Sequence, residues 1–594
     1  MTLVTRWGSH LAGSESPLPE YPRPQLQRRR WASLNGTWRY AVRDRGAELP
    51  RDEQIPSEFD GNITVPFAIE TAASGVGRPF TPDEVLFYQR DIEVPWSGRT
   101  ALNFEAVDYA CAVFVDGVLA AEHRGGYLPF TVDLPEGEGP RRVIVVVHDP
   151  SDSGNQQHGK QALKPGGIWY TATSGIWGTV WMEPLPENAV TRVVATTPRS
   201  RDGLLVRVEA ERAADVAVAV RLPDGGVAEA SGHTGEELRV PLPDARLWSP
   251  SDPYLYRLTV RVGDDEVESW AGVRTVELGP IPGVTAERPA VLLNSEPILL
   301  NTPLDQGYWP ESGLTPPADE AMEYDLATLK RMGFNGARMH IKIASRRYYH
   351  LADQLGMLIV QDMVSGGTPR TGMVASAAVQ FSDAHLTDRS DRAMKAAGRG
   401  DDANRREFLA ELAEMVRLLS PHPSVVAWVP FNESWGQFDA RGAATLVRRL
   451  DPTRLIDHAS GWFDQGDGDF RSRHRYTLAL KRPPRRDQRP FWLSEFGGYN
   501  LAVEGHLWDE KERFGYKFFD DANALATGIA ALWRDQLIPL VEHGLRAAVY
   551  TQVSDVEIEN NGLMTYDRAV IKVPVDLMRD LNAELYAALR ALGS

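Results

Sequence analysis

Cysteine is almost missing from this chain: Cys111 is the one cysteine in 594 residues, so no intrachain disulfide can form and nothing calls for an oxidising compartment. In the apolar context Asp108-Tyr-Ala-Cys-Ala-Val-Phe-Val it reads as a small buried strand residue, not a nucleophile. Long hydrophobic runs are missing too. No stretch approaches the roughly 18 apolar residues that a membrane span needs, and the first twenty residues carry no signal-peptide core. No membrane partner is expected, the expected location is the cytoplasm, and the sequons at Asn35, Asn62 and Asn432 then read as coincidental. Positive charge is in deficit, with 64 Lys and Arg against 81 Asp and Glu for a net −17, and a surface of that sign repels a phosphate backbone. Nucleic acid is not an expected partner. The basic run Arg28-Arg29-Arg30 is a local exception, and the run from Lys481 to Arg489, which holds Pro483 and Pro484, reads as a solvated loop.

What is present is an ordinary globular composition, 43% hydrophobic and 24% charged, long enough for several domains. Up to residue 187 short alternating apolar segments (Ala101-Leu-Asn-Phe, Ala112-Val-Phe-Val, Val143-Ile-Val-Val-Val) are separated by Gly, Pro and Asp turns, the pattern of an all-β sandwich. Val115-Asp-Gly-Val and Pro135-Glu-Gly-Glu-Gly-Pro are read as its hairpins. Residues 188–277 continue the alternation with no helical period, a length that suits an immunoglobulin-like sandwich.

After Gly279-Pro-Ile-Pro-Gly the pattern changes to apolar runs alternating with helical periodicity, the form of βαβ units. Strands are expected at Pro297–Asn301, Asn335–His340, Leu358–Asp362, Val425–Asn432, Leu455–His458, Arg475–Leu478, Phe491–Glu495 and Ala547–Gln552, and helices at 321–332 and 346–355 end at Gly333 and Gly356. Eight strands with helices in residues 278–594 predict a catalytic (β/α)8 barrel.

In a barrel the residues that finish a strand face the active site. Glu433 and Glu495 do so, on the fourth and seventh expected strands. A carboxylate there is either desolvated, which raises its pKa toward that of a useful acid, or satisfied by a helix cap or an arginine. Two on one rim favour the first reading, since paired carboxylates about 5 Å apart are the equipment of a retaining glycosidase. Serine-hydrolase elbow, zincin, Walker and dinucleotide motifs are all missing. His340 has no partner histidine at metal-ligand spacing and reads as a hydrogen-bonding group toward substrate or a catalytic glutamate. Among 16 Trp, those near strand ends, Trp309, Trp462 and Trp435, are candidates for a sugar platform.

These residues resemble glycoside hydrolase family 2, the group of β-galactosidases, β-glucuronidases and β-mannosidases, over nearly the whole length. Phe104-Glu-Ala-Val-Asp-Tyr-Ala, Val115-Asp-Gly, His123-Arg-Gly-Gly-Tyr-Leu-Pro-Phe and Ser174-Gly-Ile-Trp-Gly-Thr-Val-Trp look like the family's sugar-binding jelly roll. More specific are Gly333-Phe-Asn-Gly-Ala-Arg-Met-His, Trp428-Val-Pro-Phe-Asn-Glu-Ser and Leu493-Ser-Glu-Phe-Gly-Gly. The resemblance implies that Glu433 is the general acid/base, that Asn432 bonds the sugar 2-hydroxyl and that Glu495 is the nucleophile of a double displacement. Around the second strand it carries over Arg338 and His340 only. Where glucuronidases have Asn-x-Lys this chain reads Glu557-Ile-Glu-Asn-Asn-Gly-Leu, with Asn561 aligned to the lysine, which counts against a glucuronide. Asp305-Gln-Gly-Tyr-Trp-Pro and Tyr550-Thr-Gln-Val-Ser-Asp-Val-Glu resemble a short three-domain branch with some furanoside-active members.

The expected molecule is therefore an exo-acting retaining glycosidase: a jelly roll (1–187), an immunoglobulin-like sandwich (188–277) and a barrel (278–594). A galactoside is the leading substrate, with galactofuranoside or arabinofuranoside as alternatives and a non-catalytic carbohydrate-binding protein as the rival from another class. Asp305, Asp362, Tyr476 and Gln552 are the expected hydroxyl-binding residues. No cofactor and no metal are expected; the partner is a carbohydrate, a homo-oligomer being compatible with the family's habit. The Gly- and Ala-rich stretch 363–401 reads as a mobile lid.

Overall fold

The computed structural model describes residues 3–46, 55–283, 288–367 and 387–593; the middle of the expected lid, 368–386, therefore lies outside the described residues. The amino-terminal part is two antiparallel sheets face to face. One has six strands, in the order 61–65, 36–44, 84–94, 139–148, 110–115, 118–124, and the other four, in the order 32–33, 180–184, 100–104, 130–134. Their inner faces bury Trp38, Leu86, Tyr88, Phe104, Val113, Val145 and Met182 in one core. Cys111 lies in it too, and burial pushes its thiol up to about 12, which leaves it unreactive. Asp116 and Gly117 take φ of 52° and 83° between paired strands, the two left-handed residues that a tight hairpin needs. Pro135-Glu-Gly-Glu-Gly-Pro is not a hairpin: Phe130–Leu134 pairs with Thr100–Phe104, whereas Gly139–His148 pairs in the other sheet, so this connection passes from sheet to sheet.

The second sandwich stacks sheets of three and four strands between Val190 and Ala271, and its strands alternate buried and exposed residues as one-sided burial requires. Arg28, from the basic run near the amino terminus, is buried against it as a bidentate partner of Asp265 at 3.0 and 2.7 Å.

Parallel ladders then form the barrel. Its strands one to eight are Leu300–Asn301 continued by Leu304–Asp305, then Gly336–Met339, Leu358–Asp362, Val425–Val429, Leu455–Ile456, Arg471–Arg475, Phe491–Gly497 and Leu545–Thr551. Strand one is split because Pro303 has no N–H to give; its first piece pairs with strand eight and its second with strand two. Strands five and six are joined by Asp469 rather than by a ladder, its amide donating to Ile456 O and its carboxylate accepting from Ile456 N, both at 2.7 Å. Gly336 is required where strand two meets strand three, since a Cβ there would stand 1.9 Å from Leu358 O. The hairpin Ala290–Ile298, paired with Val276–Gly279, packs Val291 and Leu293 with Leu304, Val360, Val429, Trp492 and Val549 in one apolar cluster that fills the barrel. Helices Asp319–Arg331 and Arg346–Leu355 lie where the periodicity predicts, the second ended by Gly356 at φ 72°. Two expected strands are displaced: of Pro297–Asn301, residues 297 and 298 belong to the Ala290–Ile298 hairpin and strand one runs on to Asp305, and strand six runs over 471–475, not 475–478, because its alternating Arg-Ser-Arg-His-Arg gives no apolar signal. Among the described residues no helix is long and apolar enough to cross a membrane.

Candidate active site

Glu433 and Glu495 meet at the carboxyl ends of the strands. Glu433 follows strand four at φ 51°, a left-handed conformation unusual for a residue with a Cβ, and is held there by its amide donating to Ser460 O at 3.0 Å. Glu495 lies within strand seven, at a break in register between Leu493 and Phe496. His474 of strand six stands between them, Nδ1 2.8 Å from Glu433 Oε1 and Nε2 3.5 Å from Glu495 Oε1. One side-chain atom from each of the three lies within 4.8 Å of the other two. This is the one group among the described residues with the geometry to hold a metal ion. Room for the imidazole comes from Gly461, at φ 88°, where an added Cβ would lie 2.7 to 2.8 Å from the ring.

The surroundings of the two carboxylates differ. Glu495 accepts from Arg338 Nη1 at 3.3 Å and from the Tyr476 hydroxyl. Burial raises its carboxyl and Glu433 adds to the rise, while Arg338 and Tyr476 oppose it. Glu433 has only the imidazole in contact; burial pushes it up to about 7, with the charges of Lys160 and Arg338 acting in the opposite direction. Burial holds His474 down to about 4, so the ring is neutral at pH 7 and the short Nδ1 contact assigns it as a donor to the Glu433 carboxylate.

Arg338 is entirely buried, and its five N–H groups are spent on Asp362 (2.9 and 3.0 Å), Asn432 Oδ1 (2.8 Å), Ser494 O (2.8 Å) and Glu495. The expectation that it binds substrate is corrected: no donor remains. The same holds for Asp362, whose oxygens are taken by Arg338 and by His340 Nδ1 at 2.9 Å. His340 also lies 4.0 Å from Glu495 Oε1, and its other ring nitrogen has no partner among the described residues. Asn432, with Oδ1 held by Arg338, keeps a buried Nδ2 without a partner.

Of the other expected contacts, Asp305 caps its own loop, accepting from Gly307 N and the Tyr348 hydroxyl at 2.9 Å each, and is corrected to a structural residue. Trp309 is also corrected: Arg568 sits 4.0 Å over its ring and Trp7 meets it edge-on, so its faces are occupied by protein. Tyr476 serves the Glu495 carboxylate and stacks on Tyr516 at 3.9 Å, which corrects it from a sugar contact to a carboxylate partner. Gln552 accepts from Gln306 at 2.7 Å and keeps an unpartnered Nε2. Trp462, 5.4 Å from the His474 ring, and Trp435, 5.0 Å from Trp169, both have buried indole N–H groups without partners. Asn561 donates to Glu559 Oε1 at 2.9 Å, so the position aligned with a lysine instead orients an acid.

The sequence reading missed His474, whose strand was displaced, and Lys160, Trp169 and Tyr170, which reach the site from the first sandwich. The Tyr170 hydroxyl donates to Glu559, Thr171 N to Glu557 Oε1 at 2.7 Å, and His158 and Gly159 N to Ser365 O. No periodicity signals such a contact between domains.

Comparison with known proteins places these features. Residues 317–571 match the model described as glycosyl hydrolases family 2, TIM barrel domain, and residues 191–274 match glycosyl hydrolases family 2. A β-galactosidase of Aeromonas hydrophila subsp. hydrophila is 27% identical over 90% of this chain and 52% of its own length. A β-glucuronidase of Streptococcus agalactiae serotype V is 25% identical over 85% of this chain and 89% of its own. The chain thus spans about half the length of the β-galactosidases it matches. Two solved structures share the fold: a β-galacturonidase from Eisenbergiella tayi bound to galacturonate (TM-score 0.68, 19% identity, 94% of this chain and 98% of that one) and a Faecalibacterium prausnitzii β-glucuronidase (TM-score 0.70, 19% identity, 95% and 99%).

Proposed function

Because the chain belongs to glycosyl hydrolase family 2, we propose that it is an exo-acting, retaining O-glycosidase that releases a terminal galactoside-like sugar by double displacement. The observation that carries the reading is the meeting of Glu433 and Glu495 with oxygens within 4.8 Å of each other, the spacing a nucleophile and an acid/base need to serve one glycosidic bond.

The unequal surroundings assign the roles. Glu495, where Arg338 and Tyr476 donate to the carboxylate and oppose the rise that burial imposes, is the nucleophile that attacks the anomeric carbon. Glu433, pushed up to about 7, carries the proton that passes to the leaving oxygen, then as a carboxylate takes one from water when the glycosyl-enzyme is hydrolysed. Asn432 Nδ2, free because Oδ1 is held by Arg338, donates to the 2-hydroxyl. Neither half of the reaction needs a cofactor. The unpartnered N–H groups of Asn432, Gln552, Trp435 and Trp462 support a hydroxyl-rich ligand, since a buried donor without an acceptor costs about 1–3 kcal/mol until something fills it. The first-sandwich segment tied to Ser365 and Glu557 supports exo action, as it lies across the loops that follow strands three and eight.

A panel of nitrophenyl pyranosides and furanosides identifies the sugar and separates galactoside from furanoside. On the substrate so found, Glu495→Ala is expected to lose turnover and to regain it with azide as a glycosyl azide. Normal activity of Glu495→Ala on every glycoside would end the assignment.

A further inference from the structure

Lys160 is a cation that the first sandwich brings to the rim of the barrel site. Its side chain is 6% exposed, and Nζ lies 5.4 Å from the centroid of the Tyr170 ring. Among the described residues it has no hydrogen-bond or ion-pair partner. The preceding Gly159 packs against Ile341, next to His340 at the end of strand two, and the Lys160 charge acts on Glu433, His340 and His474. This mostly buried ammonium is not sealed from solvent, so its N–H groups are open to the oxygen of a ligand. The segment is fixed on both sides: His158 and Gly159 N donate to Ser365 O, and Tyr170 and Thr171 donate to Glu559 and Glu557.

The surroundings select the kind of oxygen. Tyr170 has the ammonium over its ring face and the Glu559 carboxylate on its hydroxyl, so a donor and an acceptor flank one side chain. Neighbouring hydroxyls of a neutral sugar need that combination, one oxygen accepting and the other donating. A sugar carboxylate would face Glu557 and Glu559 as well as Lys160, and like charges in a buried site repel. We propose that Lys160 is a specificity-determining residue, supplied by the first sandwich, that donates to a hydroxyl of a neutral sugar held between Glu433 and Glu495, beside a Glu559 carboxylate already held by Tyr170 and Asn561. The inference rests on the glycosidase reading above and adds the sugar's charge class and a contact from outside the barrel.

The test pairs Lys160→Met and Lys160→Arg with the best nitrophenyl glycoside of the panel and its monodeoxy analogues. Lys160→Met is expected to lower kcat/KM on the parent roughly 30- to 150-fold, the size of a charge-assisted hydrogen bond. It should have little effect on the one analogue that lacks the bonded hydroxyl, and Lys160→Arg should retain part of the activity. The alkaline limb of the pH profile should also move up in Lys160→Met, since a cation that favours the Glu433 carboxylate is gone. Equal losses on the parent and every deoxy analogue, an unchanged parent rate, or a wild-type preference for a uronide that Lys160→Met abolishes would each overturn the proposal. Failure of the glycosidase reading looks different: wild type would turn over no glycoside, or Glu495→Ala would remain active.

Discussion

His474 Nδ1 stands 2.8 Å from Glu433 Oε1, a neutral imidazole donating to a carboxylate that has no other hydrogen-bonding contact among the described residues. The proton on Glu433 is therefore set by burial against one donor and two nearby cations, and activity should report it.

With its pKa raised to about 7, Glu433 is protonated below that value and loses its proton above it. General-acid help to the leaving oxygen is thus present at low pH and lost as pH rises through about 7. The kcat/KM profile should fall on the alkaline side with a midpoint near 7. In Glu433→Gln that limb should vanish, activity surviving only on aryl glycosides whose leaving group needs no proton. An alkaline limb unchanged in Glu433→Gln would contradict the assignment.

His474→Ala removes the donor that favours the carboxylate form, so the Glu433 proton should be held more tightly. The alkaline limb is expected to move upward and kcat to fall about 10- to 100-fold, the range of a misplaced acid/base. Rate–pH profiles of the variant and wild type side by side decide this.

Glu433, His474 and Glu495 form a nitrogen and oxygen donor set of the kind Zn²⁺ accepts, on the residues that would react. Zn²⁺ should inhibit competitively with substrate, reversibly on chelation, and less strongly in His474→Ala. Activity stimulated by Zn²⁺, or lost on chelation of the untreated protein, would exclude this reading.

Gly461→Ala places a Cβ against the His474 ring and a side chain at φ 88°. The imidazole must shift, so kcat should drop about tenfold or more while KM changes little, since a displacement of about 1 Å at a catalytic group is costly. Steady-state kinetics with a thermal unfolding scan separate loss of alignment from loss of fold.

Much of this was legible in the chain. Alternation marked the two sandwiches, helical period with terminal glycines marked Asp319–Arg331 and Arg346–Leu355, and a polar residue closing an apolar run pointed to Glu433 and Glu495. Strand six was misplaced because Arg471–Arg475 shows no apolar alternation, and His474 was lost with it. Arg338 and Asp362 were taken for sugar contacts because a strand-end position shows that a side chain points toward the rim, not whether a neighbouring strand consumes its donors or acceptors first.

The sequence alone determined the order of layers and pointed to two candidate acids, because periodicity and turn chemistry are local and each apolar face must find a core. Tertiary structure alone decided how each carboxylate is surrounded, which polar groups stay free and that Lys160 reaches the barrel. Those outcomes depend on burial and on contacts between residues up to 389 positions apart, as between Tyr170 and Glu559, and no local pattern encodes such distances.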